Sequence, residues 1–182
     1  MYYQLRKTRV LDGLYMTDNP DLDVTLRWLS GRHLTDKVPD PFTITLNDEY
    51  GTGMPDFFTG SVPLMSDRML AGLVSAGVNN VDIYKTRLLD PKTGRAREDY
   101  KAVQIIGRVK AANLSQSDVF NPKGLKHTAI QFRKLVIDEA AANGLLLFRL
   151  FESASTIVVH EVVKQALERL DLQFVTLEPL KA

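Results

Sequence analysis

The sequence predicts an α+β fold: a mixed, largely antiparallel sheet or sheets with two main amphipathic helices, at about residues 66–76 and 160–170. Three observations carry that prediction. Short segments of period-two hydrophobicity recur along the chain, separated by Gly, Pro, Asn and Asp. Two windows switch to the helical period of 3.6. The stretch from Leu145 to Leu180 joins an apolar strand (LLLFRLF), the better of the two helices and a closing strand.

Taken in order, Tyr2 to Lys7 reads as a strand, followed by the turn-like Asp12-Gly13. Asn19-Pro20 opens a loop. Residues 23–29 fit two patterns. Val24, Leu26 and Trp28 alternate as in a strand, which is the preferred reading, while Leu22, Leu26 and Leu29 share a helical face. Phe42 to Leu46 is a strand and Asn47 to Gly53 a loop. Ser66 is the helix cap, with Met65 and Leu70 spaced as a hydrophobic staple. Met69, Leu70, Leu73 and Val74 make the buried stripe, and Gly77 ends the helix.

Val81 to Leu89 follows as a strand, with Val81, Ile83 and Leu89 on one face and Tyr84 and Leu88 on the other. Asp90 to Gly94 is a turn, and the partner strand runs from Tyr100 to Val109. Together they form an antiparallel hairpin with a charged tip, Asp90 to Asp99. Residues 111–130 are irregular, with a turn at Asn121–Gly124. Phe132 to Asp138 is a strand and Glu139 to Gly144 one helical turn. Leu145 to Phe151 is apolar on both faces except at Arg149, the mark of a central strand. A charge there needs a partner, a carboxylate being the expected one, or a solvent-facing edge. Thr156 to Val159 is extended. Val159, Val162, Val163, Ala166, Leu167 and Leu170 then form a helical stripe, with Lys164 and Glu168 at i,i+4 on the other face. Gln173 to Leu177 is the closing strand.

The chain has 182 residues, the length of one domain, here residues 1–182 with 1–53 as a less regular lobe. It has no cysteine, which excludes thiolate catalysis, Cys-ligated zinc and disulfides, and fits a reducing compartment. Its 23 basic and 22 acidic residues give a net charge of +1, which argues against nucleic acid as a partner. The opening MYYQLRKTRVLDG lacks the apolar core of a signal peptide, and no window approaches the ~20 apolar residues of a membrane span. A cytoplasmic protein without membrane contact is expected.

Chemical motifs are sparse. The histidines, His33, His127 and His160, lie far apart and have no metal-ligand spacing, so they read as surface or helix-cap residues. Asp18, Asp21 and Asp23 lack the glycine and terminal glutamate of a calcium loop. Gly51-Thr52-Gly53 lacks the Lys-Ser/Thr ending of a phosphate loop. No catalytic residue, metal or cofactor is assigned. The residues chosen for partner contact are Asp48, Glu49 and Tyr50 in the first Gly-rich loop, and Lys92, Arg95 and Arg97 at the hairpin tip. Loops tolerate variation, and charged or aromatic anchors suit recognition. Two other readings stand beside this one. Asp56, Asp82 and Glu178 converge in the fold to make an enzyme, or an exposed strand edge makes a homodimer.

Three segments together carry a resemblance: residues 55–88, 98–119 and 135–180. They contain Asp56-Phe57 before a strand, the Ser66-capped helix, Tyr100 in the second hairpin strand and Ser117 soon after it. Leu147-Phe148-Arg149, an amphipathic helix and a last strand complete the pattern. In this order they resemble a family of small immunity proteins of bacterial polymorphic-toxin systems, common in myxobacteria and other proteobacteria and formerly catalogued as a domain of unknown function. The match is weakest over residues 1–50. It departs from the family pattern at Asp171-Leu172-Gln173, where a Gly-like turn is usual. The resemblance implies a non-enzymatic protein that binds and neutralises a cognate toxin.

Overall fold

The structure is a computed structural model that describes residues 1–8, 10, 13–18, 27–35, 37–49, 51–120 and 130–181. In its first part, β1 (Tyr2–Lys7) is followed by β2 (Met16–Thr17), β3 (Phe42–Asn47), β4 (Phe57–Phe58) and β5 (Leu64–Ser66). Helix α1 (Asp67–Ser75) leads to β6 (Val81–Leu89), β7 (Ala96–Arg97), β8 (Tyr100–Ile105) and β9 (Arg108–Val109). The remainder is β10 (Asp118–Phe120), β11 (Gln131–Lys134), α2 (Glu139–Ala142), β12 (Leu147–Leu150), β13 (Ile157–His160), α3 (Glu161–Glu168) and β14 (Val175–Pro179). The fold is α+β, as the sequence predicts.

Two sheets organise these elements. The first runs β14-β1-β13-β12-β9 and the second β2-β3-β6-β8-β5-β4, with β7 on β6 and β10-β11 as a separate ribbon. Pairing is antiparallel except for β12 with β9 and β3 with β6. Leu145 to Phe151 is the central strand expected, trimmed to β12, and both its faces are covered. Leu147 packs into the core under the helices, whereas Phe148 and Leu150 pack into a second cluster with Tyr2, Leu135, Ile137 and Val158.

The helix-side core joins the two sheets. Tyr3 and Leu5 of β1, Ile157 and Val159 of β13, and Val103 and Ile105 of β8 all meet Met69, Leu73, Val163 and Leu167. Ser66 caps α1 by accepting from Met69 N–H at 3.2 Å, and His160 caps α3 through Nδ1. Lys164 pairs with Glu168 at 2.8 Å, as the i,i+4 spacing predicts. Gly72 lets the helices approach closely, since a Cβ there would lie 2.6 Å from Leu170 Cδ1.

Several expectations need correction. Val74 and Val162, placed on the buried stripes, are exposed, because each helix lies on only one core and the stripe is narrower than the apolar pattern. Ile83 is also exposed, although Val81 two residues earlier on the same strand packs against the core under α1. The predicted strand from Tyr100 to Val109 divides at Gly107, whose φ of +113° swings the chain out of the second sheet and into the first. The closing strand starts at Val175, two residues late, because Phe174 has a φ of +56°. Asp118–Phe120, expected to be irregular, is a strand paired with β11, which spans Gln131–Lys134 rather than Phe132 to Asp138. Arg27 to Ser30 is a turn closed by Ser30 N–H to Arg27 carbonyl, not the end of a strand. The Asn19-Pro20 loop, the choice for residues 23–26 and the turn at Asn121–Gly124 lie outside the described residues.

Leu167 is 1% exposed at the helix-sheet interface, and Val162 on the same helix is 46% exposed. Leu167→Ala is therefore expected to cost about 2–5 kcal/mol in urea denaturation, and Val162→Ala less than about 0.5 kcal/mol. Equal losses would mean that α3 faces the core differently.

Candidate functional site

The two loops chosen from sequence meet. Asp48, just after β3, accepts from Lys92 Nζ at 2.5 Å across from the β6 turn. The pairing follows from topology, because β3 and β6 are parallel neighbours and their C-terminal ends point the same way. Each loop is also held internally. The Asp90 carboxylate accepts from Lys92 N–H and Thr93 Oγ1, and Asn47 Oδ1 accepts from Glu49 N–H. Gly51 and Gly53 lie against Gly13, where Gly53 N–H donates to the Gly13 carbonyl at 2.7 Å. The Asp48 carboxylate holds the Lys92 ammonium pKa above its usual value. Thr93, the Asp90 carboxylate's hydroxyl donor, leads the interactions that hold Asp90 below the usual carboxylate range.

The tip does not form one patch. Arg95 is exposed at the turn. Arg97, on β7, turns back to Asp99 at 2.6 Å and lies over the Tyr100 ring. Glu49 is exposed beside Asp48, and Tyr50 lies outside the described residues.

A second feature was not foreseen. A cleft of about 670 Å³ is lined by Arg27, Ser30, Arg32, His33, Leu34, Thr35 and Arg108. It sits where the chain crosses between the sheets at Ile106-Gly107. Gly107 N–H donates to the Gly31 carbonyl, and Arg149 N–H to the Gly107 carbonyl. Gln104, fully buried, donates from Nε2 to Ser30 Oγ at 3.0 Å and the Arg32 carbonyl at 2.6 Å, which fixes the loop. The Arg108 chain runs across Gly31, where a Cβ would lie 2.5 Å from Arg108 Cγ. Arg108 Nη2 donates to the Phe151 carbonyl at 2.6 Å, its guanidinium stacks 4.9 Å from the Phe151 ring, and its buried Nε has no hydrogen-bond partner among the described residues. His33 Nδ1 lies 2.7 Å from Asp82 at the rim. The only sequence signal for this cleft was Gly31 and Gly107 interrupting otherwise polar and strand-like runs; nothing linked the two segments.

Two buried charges remain. Asp56 is 2% exposed and accepts from Ser66 Oγ, from Arg68 Nε at 2.7 Å and from Gln173 N–H at 2.6 Å. Burial pushes its pKa up, but the hydrogen bonds from Arg68, Ser66 and Gln173, with the Arg68 charge, outweigh burial and leave it below the ordinary 3.8. Among the described residues Arg149 does not meet the expected carboxylate: it is 1% exposed, donates from Nη1 to the Ala154 carbonyl at 2.9 Å, and has no partner there at Nε or Nη2. Burial, helped by the neighbouring Arg108 charge, brings its pKa down to about 10.

Asp56, Asp82 and Glu178 are not gathered into one site. Their partners are Arg68, His33 and Arg6 respectively. Among the described residues no group of three or more His, Asp or Glu side chains is placed to hold a metal ion. Among those residues, too, no helix is long and apolar enough to cross a membrane. The residues that carry the family resemblance are scaffold residues: Ser66 binds Asp56, Tyr100 Oη donates to the Pro55 carbonyl at 3.0 Å, and Ser117 Oγ accepts from Val136 N–H at 3.0 Å. Comparison with protein-family models and with curated proteins finds no match for this chain.

Asp56→Asn is expected to lower stability by about 1–3 kcal/mol at neutral pH, since it leaves buried donors facing an amide. The folded carboxyl titrates below the unfolded one, so its contribution is complete above pH 4–5 (about one unit over the 3.8 reference) and fades as pH falls further. The gap between wild type and variant should therefore close in acid; a gap that persists to low pH would contradict an ionised Asp56. Arg149→Met should leave stability unchanged or raise it by about 1–4 kcal/mol, and a loss on chemical denaturation would show that the guanidinium has a stabilising partner.

Proposed function

We propose that this protein is an immunity protein that binds a cognate bacterial toxin in the cytoplasm and neutralises it without chemistry of its own. The observation that carries the proposal is the joining of the Asp48 loop and the Lys92 turn into one surface by a 2.5 Å ion pair. A tight inhibitor needs a preformed surface, because ordering a loop on binding costs affinity. Both loops are pinned by their own side chains before any partner arrives. The resemblance of residues 55–88, 98–119 and 135–180 to immunity proteins supports the same reading. In it, Lys92, Arg95 and Glu49 contact the toxin, with Asp48 positioning Lys92.

The test is co-expression with the product of the adjacent gene. That product should arrest growth alone, and co-expression should restore it. Lys92→Glu with Arg95→Glu should weaken the purified complex by about tenfold or more in calorimetry, roughly 1.4 kcal/mol. A harmless neighbour, or one equally toxic in the presence of this protein, would overturn the proposal.

A further inference from the structure

We propose that the basic cleft between the two sheets is a receptor for carboxylates, and that its occupant is an acidic, Asp- or Glu-rich segment of a partner protein. The inference goes beyond the reading above, which places contact at the other end of β6, and rests on it only in taking the partner to be a protein.

Charge is the first argument. Arg27, Arg32 and Arg108 line the cleft with His33, and among the described residues no carboxylate lines it. Asp82 stands at the rim rather than in the lining, with its carboxylate 2.7 Å from His33 Nδ1. Guanidinium groups present a planar fork of donors that matches a carboxylate with two parallel hydrogen bonds. Ser30 and Thr35 add neutral polar lining.

Preorganisation is the second. Gln104 holds the Ser30–Arg32 backbone from beneath, and Gly107 N–H holds Gly31. Arg108 is clamped between Gly31, the Phe151 carbonyl and the Phe151 ring. The loop backbone and the Arg108 side chain therefore have little conformational entropy left to lose on binding.

Unused donors are the third. Among the described residues Arg108 Nε is buried without a partner, and Arg149, aligned with Arg108 in the parallel β12–β9 register, keeps two further guanidinium nitrogens unpaired. A buried unpaired charge destabilises a fold, and sites that bind charge are where such a cost is tolerated. Arg108 lines the cleft, and Arg149 stands beside it in the register, where burial, helped by the Arg108 charge, lowers the Arg149 pKa.

Nucleic acid fits less well. Among the described residues no aromatic side chain lines the cleft to stack a base. The net charge of +1 supplies no long-range field for a polyanion. A volume of about 670 Å³ accommodates a few acidic side chains, within the usual range for ligand sites.

The test uses the full chain and three fluorescein-labelled probes: hexaglutamate, hexaglutamine and a twelve-residue oligothymidylate. Anisotropy is read for wild type, for Arg27→Glu with Arg32→Glu, and for Lys92→Glu. Arg27 and Arg32 are exposed, so the double variant should keep the wild-type melting temperature. Hexaglutamate should bind wild type more tightly than hexaglutamine. The double variant should lose at least tenfold in that affinity, and Lys92→Glu less than twofold. Chemical-shift changes on adding hexaglutamate should map to the Ser30–Thr35 loop. Equal binding of the two peptides, an unaffected double variant, or tighter binding of the oligonucleotide would each overturn the proposal. None of these outcomes bears on toxin neutralisation in co-expression, and failure of neutralisation leaves the peptide result intact.

Discussion

The Asp56 carboxylate is the constraint on which the rest of the molecule depends. One buried anion ties together three pieces of chain: its own segment, the start of α1 and the turn before β14. It takes the hydroxyl proton of the α1 cap Ser66, it pairs with Arg68 in the first turn of that helix, and it accepts Gln173 N–H from the turn before β14. Its own backbone donates to the Gln173 carbonyl and accepts from Ser66 N–H. That turn contains two non-glycine residues in the left-handed region, Asp171 and Phe174. Left-handed Phe is uncommon and persists only where neighbouring bonds fix it. Asp56 on one side and the Thr8 N–H to Phe174 carbonyl bond on the other provide that fixing.

The two buried charges illustrate opposite solutions. Asp56 has every oxygen engaged, and the sum of its hydrogen bonds exceeds the desolvation it suffers. The Arg149 guanidinium donates one bond, to the Ala154 carbonyl, and has an arginine for a neighbour. Stability alone favours the first arrangement and disfavours the second. The contrast divides the molecule physically into a region under α1 where polarity is internally satisfied and a seam at Gly107 where positive charge is left over. The first holds the scaffold together; the second faces a cleft.

The second sheet carries both surfaces considered for binding because of one long strand. β6 pairs in parallel with β3 and antiparallel with β8, so its C-terminal end brings the Lys92 turn to Asp48, while its N-terminal end brings Asp82 to His33 at the cleft rim. Eight residues separate Asp82 from Asp90, roughly 25 Å at about 3.3 Å per residue. Recognition elements at the ends of a rigid strand are held at a fixed separation.

What the sequence by itself determined was local. The cap at Ser66, the stop at Gly77, the Lys164–Glu168 pair and the double-sided apolarity of Leu147 to Leu150 are set by neighbours within a few residues, and all were legible. The α+β class followed from them. Which apolar residues face solvent was decided only by tertiary packing: Val74, Val162 and Ile83 carry the right periodicity, but no second layer reaches them. The break at Gly107 was equally hidden, since one glycine in a good strand pattern does not say that the chain changes sheets. The partners of charged residues were least legible of all. Asp56 finds Gln173 across 117 positions and Arg108 finds Gly31 across the seam, while Arg149 finds no carboxylate among the described residues. Hydrophobic periodicity is written along the chain. Long-range electrostatic pairing is settled only when the topology has brought distant segments side by side.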